Sequence, residues 1–415
     1  MELTQTRGLP LRRAGVGRLA RPVEDRPRPC SAMDDTDDAE PPRPFGHPTV
    51  PKLVVKAGRA YRRWRAKGPR LGDYNPASTL ELPVTLVDRA RVPAVNFHAH
   101  LGRWLSPDGS WMEQDVARLL DLMASCNIAS TVNLDGRWGR ELEENLDRYD
   151  RAHPRTFFTF CHVDWRLLKQ PDGPERLAKS LERSVSSGAR GLKVWKDLGL
   201  KVTAQGRLVM PDDPRLAPLW ETAGALGVPV LWHVADPVSF FHPADHRNER
   251  LEELLRWRQH HAGGKDGFRR LLASVETVLA RHPTTRFVAA HGLYPENVGH
   301  LAAMFEHYPN FFVDIAWVHL QLGRQPRAAR QLLIDHPDRV LFGTDVFPLR
   351  QAQLRIYFRF LETADEYFSY SDEPTPGSGR WNISGLDLPT GALENVYSNN
   401  AKVLLGSGPA KGLKE

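Results

Sequence analysis

The sequence predicts an α/β protein, a (β/α)8 TIM barrel over residues 92–406, preceded by a basic arm and a tail. Three observations point there. Eight short apolar runs alternate with stretches of helical periodicity, the order that builds a parallel sheet. A chain of 415 residues with 41% hydrophobic and 26% charged residues can bury one large core, which excludes global disorder. The rival, an open doubly wound sheet, usually needs fewer strands and a phosphate loop. No GxGxxG, and no GxxxxGK followed by Ser or Thr, comes after any strand here.

In chain order, residues 1–50 read as a disordered tail, rich in Arg and Pro and then acidic in MDDTDDAEPP, with no apolar periodicity. The first 30 residues hold arginines but no continuous apolar stretch, so a secretory signal is excluded. Such a start imitates an organelle transit peptide, against which Glu2, Glu24 and Asp25 speak, and Met33 offers an alternative start. Residues 51–91 form the basic arm, expected to pack on the barrel with Tyr61 and Trp64 inward. Its segment 52–70 carries eight basic residues and no acidic one, and removing them takes the formal charge from +6 to −2. A nucleic-acid or membrane-surface role could rest only on that segment, and a solvated arm is the simpler reading.

The expected strands are 92–98, 128–134, 156–163, 190–195, 228–234, 286–291, 311–316 and 339–345. Each is a β-branched or aromatic run of six to eight residues. Helical periodicity falls at 112–126, 174–188, 216–227 and 301–309, and a last helix near 351–362 completes the ring. Two stretches exceed ordinary loop length, 235–265 and the Gly/Pro/Ser-rich 371–389, and long loops on a barrel often belong to its binding face. Residues 407–415 read as a short tail.

Composition narrows the function. No window approaches the roughly 18 uncharged apolar residues of a spanning helix, so an integral membrane protein is not expected. Three cysteines, Cys30, Cys126 and Cys161, without a CxxC pair, argue against a disulfide framework or a cysteine zinc site and fit a reducing cytoplasm.

A barrel builds its site at the carboxyl ends of its strands, and polar residues recur there. The first strand ends NFHAHLGRW, with His98 and His100 two apart and so projecting to one side. Lys193 lies on strand four, His233 ends strand five, His291 strand six and Asp345 strand eight. Singly, each has an ordinary explanation as a cap or packing residue. Together they form an imidazole and carboxylate set suited to a divalent ion, Zn²⁺ first, with Mn²⁺, Fe²⁺ or Co²⁺ as alternatives. Such an ion lowers the pKa of a bound water to about 7. Asp345 would take that water's proton and pass it to the leaving group, and His291 would stabilise the developing oxyanion.

The motifs NFHAHLG, GLKVWK, PVLWHVADP, FVAAHG, FFVDIAW, RVLFGTDVFP and ENVYSNNAKVLLG resemble those of the amidohydrolase superfamily, and more closely amidohydrolase family 2, which also contains metal-dependent decarboxylases. The resemblance covers about residues 92–406. It implies that His98, His100, His233 and Asp345 ligate the metal. It implies that His291 faces the substrate beside one ion, or binds a second. Lys193 matches a lysine that is carbamylated in two-metal members. One ion is favoured here, with two kept open.

Other residues are candidates from position. Arg103 and Trp104 follow the metal pair and could reach a substrate, although Arg103 could equally pair with a loop carboxylate. Asp314 could orient a ligand histidine. The loop after strand five offers His242, His246, Arg247 and Arg250, with Phe240 and Phe241 lining a pocket or packing the loop. His162 and Asp164 read as packing or supporting groups. The reading is a cytoplasmic metal-dependent hydrolase cleaving an amide, lactone or ester bond in a small organic substrate. Two alternatives stand beside it: a nonoxidative decarboxylase using the same metal, with Arg103 binding a carboxylate, and a non-catalytic binding protein acting through the basic arm. No nucleic-acid or membrane partner is expected, and a homo-oligomer is left open.

Overall fold

The computed structural model describes residues 76–262 and 264–406, together with Lys56, Arg59 and Arg62. The chain divides into two units, Met1–Tyr74 and Asn75–Glu415. In the first, Lys56, Arg59 and Arg62 are helical and exposed. The readings of the 1–50 tail, of Tyr61 and Trp64, and of residues 407–415 lie outside the described residues.

Among its described residues the second unit holds eight parallel strands: β1 Ala94–Ala99, β2 Ile128–Asn133, β3 Phe157–Thr159, β4 Leu192–Val194, β5 Val230–Trp232, β6 Phe287–Ala289, β7 Phe311–Asp314 and β8 Val340–Leu341. They pair in two runs, β1-β2-β3 and β4-β5-β6-β7-β8. Two seams join the runs. Between β3 and β4, Cys161 bridges Leu192, and the Lys193 N–H donates to the Cys161 carbonyl at 2.7 Å. Between β8 and β1, the Phe97 N–H donates to Phe342 O at 2.8 Å and the Asp345 N–H to His98 O at 2.9 Å. The ring therefore closes, and the fold is a (β/α)8 TIM barrel.

Two apolar layers hold it. Val95, Phe97, Val132, Leu231, Val288 and Leu341 belong to one buried cluster. Side chains from β2 and β6, far apart around the ring, can share a cluster only inside it. Helix Asn400–Leu404 closes the lower end: Ala401 and Leu404 join the inner cluster, and Arg190 and Arg286, which precede β4 and β6, donate to the carbonyls of Leu405 and Val403. The outer layer lies between strands and helices. Strands buried on both faces explain why the sequence shows near-continuous apolar runs.

The helices that alternate with these strands are α1 Val116–Ser125, α2 Arg140–Asn145, α3 Gly173–Ser187, α4 Ala217–Ala225, α5 Lys265–Arg281, α6 Val298–His307, α7 Pro326–Asp335 and α8 Gln351–Glu362. The expected 112–126 helix starts later because the Asp115 carboxylate caps α1, accepting from the Arg118 N–H. On α3, Leu177 and Leu181 face inward at helical spacing, and Gly188 at φ 128 ends the helix where a side chain would be strained. A two-stranded hairpin, Thr203–Ala204 with Arg207–Leu208, was not expected. Gln205 and Gly206 both have positive φ, the two-residue turn that suits a hairpin's twist.

The two long loops are structured. Residues 235–265 carry a short helix, Leu251–Arg256, and bury Phe240 and Phe241. In the other, the Tyr370 hydroxyl donates to Gly379 O at 2.7 Å, and Arg380 pairs with Glu252, tying one loop to the other. Of the 51–91 arm, residues 76–91 are described, and they are anchored: the Thr85 N–H and hydroxyl donate to Asp365, and Asp88 pairs with Arg355.

The β8–β1 seam also carries a side-chain link. Buried Asn96 accepts from the Thr344 N–H at 3.0 Å and donates to the Thr344 hydroxyl at 3.1 Å. Asn96→Ala leaves that N–H only its longer contact, to His98 O at 3.4 Å, in a dry seam. We expect a loss of about 1–3 kcal/mol in urea unfolding, and an unchanged midpoint would show that the seam does not depend on Asn96.

Candidate active site at the carboxyl ends of the strands

On a regular strand Phe97 and His98 would face opposite sides. Here Phe97 fills the barrel interior while His98 and His100 also turn into the mouth, and the β1–β2 register is irregular between Asn96 and Ala99. That irregularity re-aims the strand end. The His98 and His100 rings stand 5.5 Å apart, and both Nε2 atoms approach Asp345 Oδ1, at 3.7 and 3.2 Å.

Each histidine is oriented by a buried acceptor. His98 Nδ1 meets Asp314 Oδ2 at 2.7 Å, His100 Nδ1 meets Asp135 Oδ1 at 2.6 Å, and His291 Nδ1 donates to Ala316 O at 2.8 Å. These contacts turn the Nε2 atoms inward, the arrangement typical of histidines that serve a cation. His98, His291 and Asp345 offer ligand atoms that all lie within 4.8 Å of one another. His291 Nε2 is 3.8 Å from Asp345 Oδ2. The His233 ring is 4.4 Å from that of His291, but its Nε2 lies on Asp236 Oδ1 at 3.0 Å. Inside the buried mouth, His98 Nε2, Asp345 Oδ1 and Lys193 Nζ have no hydrogen-bond partner.

His291 and Asp345 have φ of 56° and 54°, left-handed conformations that non-glycine residues seldom adopt. The Asp345 backbone is held from both sides, by its N–H on His98 O and by Trp317 Nε1 donating to its carbonyl at 3.1 Å.

The electrostatics follow from burial and pairing. Burial, and then Lys193, hold His98 well below the ordinary imidazole value, so it is neutral. Burial pulls His100 down too, but the Asp135 charge and hydrogen bond outweigh it and raise the group to about 9. Burial and His291 lower His233 to about 3. Burial alone would raise Asp345, yet the imidazoles around it, His98 first, keep it below the usual carboxylate range. Asp314 is pushed up by burial.

Two clefts flank the cluster. The first, about 270 Å³, is lined by His233, His291 and Asp345 on the barrel side, and by Phe240, Arg250 and Ser378 from the long loops. The second, about 430 Å³, lies toward β3 and β4 and is lined by Lys193 and Trp195.

The other sequence candidates fall as follows. Trp104 Nε1 donates to Asp135 Oδ1 at 2.6 Å, so it supports the partner of His100. Arg103 pairs with Glu144 at 3.0 Å, stacks on Trp111 and lines neither cleft. His162 is fixed on Leu134 O and Asp164 on Arg166. His246 and Arg247 are exposed and, with His242, line neither cleft, whereas buried Arg250 does line the first. Asp135 and Asp236 were missed. Asp135 stands just past the second strand and Asp236 three residues after His233, so their position at strand ends is the signal that marks them.

Lys193 is buried, and burial lowers its ammonium to about 8 despite Asp314 and Asp345 nearby. The unfolded chain binds this proton up to about 10.4. Below pH 8 both states are charged and the full cost is present; between 8 and about 10.4 the unfolded state holds more protons, so stability rises with pH. Metal-free Lys193→Met should exceed the parent by about 3 kcal/mol below pH 8, with the gap closing toward pH 10. Denaturation curves across that range check it, and a gap independent of pH would contradict the burial argument.

Among the described residues no helix is long and apolar enough to cross a membrane. Solved structures of similar fold include a dihydroxybenzoic acid decarboxylase from Polaromonas sp. JS666 with bound manganese and the inhibitor 2-nitroresorcinol. It is 15% identical, with a TM-score of 0.50, over 77% of this chain and 98% of that one. A 2,6-dihydroxybenzoate decarboxylase complexed with 2,6-dihydroxybenzoate is 18% identical, with a TM-score of 0.48, over 76% of this chain and 99% of that one. At such identities the likeness concerns the fold alone. No curated protein matches the chain in sequence. The Amidohydrolase family model matches residues 95–406, from the start of β1 to the end of the closing helix and well over half of the chain. The chain belongs to the amidohydrolase family.

Proposed function

We propose that the protein is a metal-dependent hydrolase that cleaves an amide, lactone or ester bond in a small organic substrate. The observation that carries this is the convergence of oriented imidazoles on an ionised carboxylate whose buried oxygen accepts no hydrogen bond, beside an apolar cleft. Two buried atoms without partners, His98 Nε2 and Asp345 Oδ1, are what a cation would satisfy. The residues that would hold it are His98, His100, His233 and Asp345, with His233 exchanging Asp236 for the ion. When bound, a divalent ion supplies Lewis acidity and makes water more acidic. Zinc suits this ligand chemistry.

His291 has a different part. Its side chain is 18% exposed, against 1% for His98 and His100 and 8% for His233, and it lines the first cleft. It is the imidazole that a substrate meets. Water adds to the carbonyl carbon, and its proton goes to Asp345. The bond to the leaving group breaks as that proton is handed on, with His291 stabilising the oxyanion. One ion is proposed, and Lys193 remains an ammonium that no ligand role requires.

A second reading is nonoxidative decarboxylation on the same site. Arg250 favours it: it lines the first cleft and, although its guanidinium pairs with Glu253 at 2.7 Å, it keeps Nε unpartnered for a substrate carboxylate. The sequence reading gave that task to Arg103, which is occupied by Glu144.

Elemental analysis of purified protein should find one zinc per chain, lost in His98→Ala, His233→Ala and Asp345→Ala. His291→Ala should keep the ion and lose about 10²–10⁴-fold in turnover. Loss of the ion in His291→Ala but not in His233→Ala would make His291 the ligand instead. A screen of lactones, esters and amides for acid release, run beside aromatic acids scored for CO2, should show hydrolysis; CO2 release alone would establish the second reading.

A further inference from the structure

The second cleft is not used by this mechanism. Trp104, Trp138, Trp165 and Trp195, four of the chain's eleven tryptophans, line it. Its cations are Arg137, Arg166, Lys169 and Lys193, against two carboxylates, Asp164 and Asp197. Arg166 is spent on Asp164 in a two-pronged pair. The Arg137 guanidinium lies 4.2 Å over the Trp138 ring and 5.2 Å from that of Trp104; its Nε is 3.8 Å from Glu141 and makes no hydrogen bond. Lys193, 1% exposed, ends in the same cleft with Nζ unpartnered. Flat indole walls select a planar ring, and an excess of cations over carboxylates selects a negative charge.

We propose that this cleft is a binding site for an aromatic anion, such as an aryl carboxylate, separate from the cleft that serves the proposed bond cleavage. Trp195 forms the partition: its ring meets those of His100 and His233 edge-on at 5.7 and 5.9 Å and that of Trp104 at 4.8 Å. A ligand here sits against the back of the histidine cluster without touching His291 or Asp345. The inference holds whichever bond the metal site breaks.

The test is calorimetric titration of the full chain with benzoate, benzamide and acetate, before and after chelator treatment. Benzoate should bind at least tenfold more tightly than benzamide, which lacks the charge, and than acetate, which lacks the ring. Its affinity should stay within twofold after chelation. Arg137→Gln should weaken it at least tenfold, and Arg250→Gln, in the first cleft, by less than twofold. Lys169→Gln, at an exposed position, should weaken it threefold or more and serves if Arg137→Gln does not fold. Equal binding of benzoate and benzamide, loss on chelation, or loss in Arg250→Gln with none in the Lys169 variant would each overturn the proposal.

Discussion

The Asp345 N–H donates to the carbonyl of His98, and much else depends on that bond. It is the last rung of the β8–β1 seam, so it closes the barrel. It also sets the carboxylate of Asp345 beside the imidazoles of His98 and His100. The approach is close: a Cβ at Gly343 would stand 2.9 Å from the Cβ of His98, so no other residue lets the two strands meet this way. Ring closure and site assembly are one event, because the residues that complete the sheet are those that bring the charge.

Around that seam the site is a set of buried carboxylates with divided tasks. Asp314 and Asp135 each hold the far side of an imidazole and accept backbone N–H groups as well, Asp314 from His291 and Ala316, Asp135 from Gly102. They are satisfied and structural. Asp345 is the one left with a buried, partnerless oxygen. In a poorly solvated mouth that charge is expensive unless cationic groups offset it, and His100, raised by Asp135 and 3.2 Å away, is the nearest of them.

The same mouth keeps Lys193 off that charge. Its nitrogen turns to the Trp195 side, where the second cleft begins. The partition by Trp195 gives the barrel two chemically unlike recesses, one apolar with an imidazole at its floor, the other cationic with indole walls. Both depend on loops that the barrel itself does not require, which is how one scaffold hosts different chemistries.

The sequence by itself determined the barrel and the location of its site. All eight expected runs became strands, because doubly buried strands must be apolar along their length. The polar residues that interrupt those runs at their carboxyl ends, His98, His100, His233, His291 and Asp345, stood out for the same reason. Only the tertiary structure decided their divisions. Whether His98 faces the mouth beside an inward Phe97 depends on an irregular register that no local pattern records. That Arg103 is taken by Glu144, that Asp135 and Asp236 hold His100 and His233, and that Arg250 enters the first cleft are contacts between separate loops and strand ends. They are fixed by how strands and loops meet in space, and periodicity along a chain carries no information about them.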